Sequence, residues 1–192
     1  MCEYCGCQAL PQIAELTREH DLVVNLIGDV RTAHRDADVS RMARIARHVS
    51  AVLVPHTAVE EQGLFPPLAE EFPDGMAVLR AEHRHVEAVL DEAAAGVPAD
   101  PAWPRRLLDA LDLLRNHILK EQDGVFPAAL AGLSTEDWEA MDAVRSRVGT
   151  LSTDLATTEF ATTEFAAEAG VDIDQYAGSQ QDGPLTPGKA AS

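Results

Sequence analysis

The sequence predicts an all-α fold: an up-down-up-down four-helix bundle with a short fifth helix and a disordered C-terminal tail. Three observations predict it. Apolar residues recur at helical intervals through four long stretches, and no strand alternation is convincing anywhere. Gly- and Pro-rich breaks separate these stretches by connections short enough to fold each helix back on the one before. One eleven-residue pattern also occurs twice: His56 to Pro66 and His117 to Pro127 both read H-x-x-x-E-x-x-G-(L/V)-F-P, 61 residues apart.

The first helix is expected from Gln12 to about Asp36, with Ile13, Leu16, Val23, Val24, Ile27 and Val30 on its apolar face. The second runs from Ser40 to about Phe72 and carries Met42, Ile45, Val49, Val52 and Leu53. Pro55 is expected to kink or mark it, and Pro66-Pro67 to bend or end its regular part. Asp74-Gly75 signals a turn, and a third helix follows from Met76 to about Ala95. Gly96 stops it, and Pro98, Pro101 and Pro104 fall in the connection. The fourth, from about Arg105 to Ala131, holds Leu107, Leu108, Leu111, Leu114 and Ile118. Ser134-Thr135-Glu136-Asp137 is a helix-start signature and opens the fifth, to about Val148.

This divides the chain into a Cys-rich segment (1–9), the bundle (10–148) and a low-complexity acidic tail (149–192). The tail repeats Ala-Thr-Thr-Glu-Phe at 156–160 and 161–165, and its composition predicts disorder. At 192 residues and 46% hydrophobic, the chain has material for one real core. A formal net charge of −17 argues against nucleic acid as a partner, because phosphate binding needs clustered Lys and Arg. No apolar run approaches the ~20 residues of a membrane span, and no signal peptide is visible, so a cytoplasmic location is expected. Cys2, Cys5 and Cys7 are too closely spaced for comfortable internal disulfides. They read as free thiols or as a separate thiolate metal site, one ligand short of a closed tetrahedron.

The chemistry lies in the repeat. Residues four apart share a helix face, so His56 with Glu60, and His117 with Glu121, present an imidazole and a carboxylate to one inward point. A Glu-His pair precedes each copy, Glu19-His20 and Glu82-His83. From His20 to His56 is 36 residues and from His83 to His117 is 34, enough for about four turns out and four back. The histidines thus return to similar heights. His20, His56, Glu60, His83, His117 and Glu121 are the expected ligands of a two-metal centre, with Glu87 a possible addition. Four imidazoles and two carboxylates suit two non-haem iron ions best, with other divalent metals open. His34, His48 and His85 have no such partner and are expected at the surface or behind the ligands. Phe65 and Phe126 either wall the site from water or pack the bundle end.

The motif order resembles hemerythrin-like proteins, the His-His-Glu cation-binding domain family, over about residues 10 to 148. The resemblance implies a four-helix bundle around a di-iron centre whose carboxylates bridge the irons. It also implies chemistry with dioxygen, peroxide or nitric oxide. Oxygen carriers of the family place a second histidine one turn after the third-helix ligand, where this chain has Glu87, and space the fourth-helix carboxylate differently. These departures point away from simple oxygen carriage and towards decomposition of peroxide, a catalase-like activity. In this reading Glu61, Glu82 or Glu87 relays protons. The expected partner is a small-molecule oxidant or diatomic gas, with no protein partner assigned. A sensing module that binds oxygen, nitric oxide or iron without turnover is the second reading, and a metal-free helical interaction domain the third.

Overall fold

The computed structural model describes residues 10–150, and all its regular structure is helical. The Cys2, Cys5 and Cys7 cluster and the repeats of the predicted tail lie outside the described residues.

Helix α1 (Pro11–Arg35) opens with proline in its first turn, where a missing N–H costs nothing. It buries Ile13, Leu16, His20, Val23, Ile27 and Val30 along one face. The chain reverses through Ala37, whose φ of 58° is left-handed. Asp38 caps α2 (Val39–Val59) by accepting from the Arg41 amide at 2.8 Å. Pro55 lies inside α2 without ending it. After residues 69–72, α4 (Pro73–Asp91) starts three residues earlier than its periodicity suggests. A longer connection through Gly96 leads to α5 (Trp103–Lys120). Trp103 is fully buried, and its Nε1 donates to the Val89 carbonyl at 3.1 Å, which pins α5 to α4.

The second and fourth predicted helices are each three pieces. At Glu60 the α-ladder of α2 widens into a π-turn (Glu60–Leu64), and α3 (Phe65–Leu68) follows. At Glu121 α5 widens in the same way (Glu121–Val125), and α6 (Phe126–Gly132) follows. In each turn the phenylalanine amide donates to the glutamate carbonyl five residues back. The next residue, Pro66 or Pro127, is part of the reason. Proline has no N–H and its ring crowds the carbonyl four residues earlier, so a wider turn relieves a ladder that cannot continue. Both π-turns begin at a predicted metal-ligand carboxylate.

Helix α1 packs on α2, α2 on α4, α4 on α5, and α5 returns to α1, closing the four-helix ring. A shared apolar cluster includes Ile13, Leu16, Leu64, Phe65, Leu79 and Phe126, and Met141 and Val144 of α7 join it. Each such side chain contributes ~1.5–3 kcal/mol by leaving water. Helix α7 (Thr135–Val148) opens with a Ser134–Asp137 capping box, as its sequence signature requires. It lies across α2 and the first π-turn and touches α1. No helix among the described residues is long and apolar enough to cross a membrane.

Candidate metal centre

Six side chains from four helices meet inside the bundle. His20 comes from α1, His56 and Glu60 from the end of α2, His83 from α4, and His117 and Glu121 from the end of α5. All are at most 3% exposed. They form two groups: His20, His56, Glu60 and Glu121, and then Glu60, His83, His117 and Glu121. Within each group, one ligand atom per residue lies within 4.8 Å of every other. The two glutamates belong to both groups.

The carboxylate oxygens divide between the groups. Glu60 places Oε1 3.4 Å from His56 Nε2 and Oε2 3.4 Å from His83 Nε2. Glu121 places Oε2 3.1 Å from His20 Nε2 and Oε1 2.8 Å from His117 Nε2. Both oxygens of both glutamates are buried without a hydrogen-bond partner, as are Nε2 of His20 and Nε2 of His117. Two carboxylates buried this close together need compensating positive charge, which either metal ions or protonated imidazoles supply. Donors ~2.1 Å from one ion at 90–110° to each other stand ~3.0–3.4 Å apart, close to the spacings here. The donor set and its unsatisfied atoms fit a pair of metal ions.

The opposite nitrogens of three histidines are held by carboxylates. Glu19 Oε2 lies 2.8 Å from His56 Nδ1, and Glu82 Oε2 lies 2.9 Å from His117 Nδ1. Glu61 Oε1 lies 2.9 Å from His83 Nδ1. A carboxylate there fixes the ring orientation and leaves Nε2 free to face a metal. His20 Nδ1 has no such partner: Gln122, at the repeat position of Glu61, does not supply one. Glu19 is itself gripped by Arg145 of α7, whose Nη1 and Nη2 reach its two oxygens at 2.9 Å each. Glu82 is paired instead with Lys120.

Glu19 is part of the repeat yet has no role in the motif, and Glu82, expected only as a proton relay, also orients a ligand histidine. Neighbours on a helix point ~100° apart, so a glutamate beside an inward histidine cannot face the same ion. It faces the adjacent helix instead, where the next histidine of the sequence lies. Arg145 had no sequence signal, since it stands 126 residues from Glu19.

The aromatic rings follow the same twofold pattern. Phe126 stacks on His20 at 5.7 Å and Phe65 on His83 at 5.8 Å, each nearly parallel. Each phenylalanine of one half thus covers a histidine of the other, which favours the walling role while both rings also join the packed cluster. Glu87 accepts from Thr57 Oγ1 at 3.1 Å and stands outside both groups. His34 and His85 are exposed, and His48 is half-buried.

Electrostatics tie the six together. Burial alone would lower the pKa of His56, but the Glu60 and Glu19 carboxylates overcome it and push it up to about 10. His83 is pushed up to about 9 against the same desolvation, by Glu60, Glu121 and Glu61. His117 is raised as well, chiefly by Glu121. Burial works to raise Glu60, yet the facing imidazolium groups hold it well below the usual carboxylate range. Glu121 is also lowered, although burial and the charge of Glu60 oppose it.

Residues 12–129 match the model of the Hemerythrin HHE cation binding domain family. No curated protein and no solved structure matches the chain.

Proposed function

Because the chain belongs to the Hemerythrin HHE cation binding domain family, we propose that its bundle holds two iron ions side by side and decomposes hydrogen peroxide. The observation that carries this reading is the pair of buried glutamates, Glu60 and Glu121, each aiming one unsatisfied oxygen at the histidines of either half. Glu60 and Glu121 would hold both ions, with His20 and His56 as further ligands of one and His83 and His117 of the other. Two iron ions, when bound, supply a reversible store of two electrons, which is what 2 H2O2 → 2 H2O + O2 requires of a single site.

The protein's part is shielding and proton handling. Phe65 and Phe126 cover the histidine faces, and the buried site selects small uncharged reactants. Glu61 touches His83 Nδ1 and is about one-third exposed, so it connects a buried imidazole with solvent. Glu82 does the same for His117, with Lys120 holding its second oxygen. These contacts favour Glu61 and Glu82 over Glu87 as the carboxylates that take up and return protons.

A second reading, reversible binding of dioxygen or nitric oxide without turnover, draws support from the burial of all six side chains, which slows exchange. Metal analysis of purified protein and an oxygen electrode separate the two. The peroxide reading expects two irons per chain and oxygen release on adding peroxide. Glu60→Ala or Glu121→Ala should abolish both, while His34→Ala and His85→Ala should leave both intact. A spectral change without gas release would support binding alone, and protein that retains no metal would overturn both readings.

A further inference from the structure

The internal repeat has two equivalent seats for a helix, and among the described residues one of them is filled. In the first half, α7 rests on the groove between the start of α1 and the first π-turn. Asp142 accepts from Gln12, Arg145 pairs with Glu15 and Glu19, and Arg147 donates to Gln62. At the bottom of this groove Gly63 admits Met141 so closely that a Cβ on the glycine would lie 2.9 Å from Met141 Cα.

The offsets of 63 residues along α1 and α4, and of 61 along the ligand helices, map this groove onto the second half. Gln12, Glu15, Leu16 and Glu19 become Gly75, Val78, Leu79 and Glu82, and Gly63 becomes Gly124. At that place the structure has an open cleft of about 520 Å³, lined by Phe72, Met76, Val78, Leu79, Gly124 and Val125 among others. A Cβ on Gly124 would meet nothing within 4 Å. The polar Glu15 of the filled groove is replaced by Val78, which is 51% exposed, beside Phe72 at 43%. Solvated apolar side chains grouped around an empty seat mark a binding surface more strongly than scattered ones do. The surroundings are acidic: Asp74 is in the lining, and Glu70, Glu71 and Asp123 are exposed beside lining residues in sequence, on a chain of net charge −17. Lys120 is the cation in the lining, and Glu82 pairs with it.

We infer that this cleft docks a short amphipathic helix of another polypeptide, with an apolar stripe like that of α7 and a basic polar face. The apolar stripe follows from the equivalent seat, which is filled by Met141 and Val144 of α7. The basic face follows from the carboxylates around the cleft. The geometry is independent of what the metal centre does.

The test uses the full chain and a synthetic fourteen-residue helical peptide that keeps the Trp138, Met141 and Val144 spacing of α7 and carries lysine and arginine on its other face. Fluorescence anisotropy should give saturable binding with a Kd of about 10–100 µM, a range suited to a single short helix. Amide shifts should concentrate at Val78, Leu79, Gly124 and Val125. Val78→Glu should weaken binding at least tenfold, whereas Val97→Glu, at an equally exposed valine elsewhere, should not. The same peptide with an acidic polar face should bind at least tenfold more weakly. Absence of saturation at 1 mM, shifts centred on the α7 seat, or indifference to Val78→Glu would each overturn the inference. So would self-association of the chain lost in Val78→Glu, which would identify a second copy as the occupant.

Discussion

Gly63 and Gly124 occupy the same place in the two repeats, so exchanging each for alanine asks whether the halves are equivalent. At Gly124 the new methyl meets open space, and neither glycine has a positive φ. Alanine there removes the entropy that glycine loses on ordering in a helical turn, and should stabilise by ~0.5–1 kcal/mol. At Gly63 the methyl would stand 2.9 Å from Met141 Cα, at least half an ångström inside ordinary contact. The obstacle is backbone, so no rotamer change relieves it and α7 must move. Overpacking of this kind costs ~1–3 kcal/mol. The two variants should therefore differ by ~1.5–4 kcal/mol with opposite signs. A domain of this size shifts its melting temperature by ~2–4 °C per kcal/mol, so thermal denaturation followed by circular dichroism resolves the gap. Because α7 carries Arg145, Gly63→Ala should also loosen the grip on Glu19 and weaken metal retention, while Gly124→Ala should leave it unchanged. Equal melting shifts for the two variants would refute the close approach of α7 and the asymmetry built on it.

The carboxylates behind the histidines give a second prediction: Glu19→Gln or Glu82→Gln should lower metal affinity by ~10–100-fold without removing a ligand, measured by competition with a chelator. A third concerns pH. With folded values of about 10 for His56 and about 9 for His83, both imidazoles are charged at pH 7 in the metal-free protein. Metal must displace those protons, so calorimetry in buffers of different ionisation enthalpy should find about two or more protons released, and affinity should climb from pH 7 towards pH 9–10. The sign for stability is opposite. A raised histidine value stabilises the metal-free fold fully below the unfolded value of ~6.5 and loses that contribution as pH rises through about 9 to 10. The lowered values of Glu19, Glu60, Glu82 and Glu121 stabilise above ~4.5 and are lost in acid. Denaturant titrations of metal-free protein should therefore place its stability maximum between about pH 4.5 and 6.5, and a maximum at pH 9 would contradict the ion pairing described here.

By itself the sequence determined the helical class, the order of the elements and the six inward side chains, because each rests on local periodicity. His56-x-x-x-Glu60 and its copy share a helix face wherever the helix lies, and the duplication marked them as a matched pair. Ser134 and Asp137 likewise set the start of α7 through contacts three residues apart. The sequence also contained Pro66 and Pro127, which follow the π-turns, yet a proline signals only that the ladder must change. It does not specify whether the helix bends, ends or widens, and only packing selected the wide turn. Tertiary structure alone decided the rest. Which histidine each glutamate steadies depends on the neighbouring helix, so Glu19 acts on His56, 37 residues away, and Arg145 acts on Glu19 from the far end of the described chain. The difference between two identical glycines, one pressed against Met141 and one facing a cleft, likewise has no local signal. It arises because one added helix has two similar grooves available and can lie in only one.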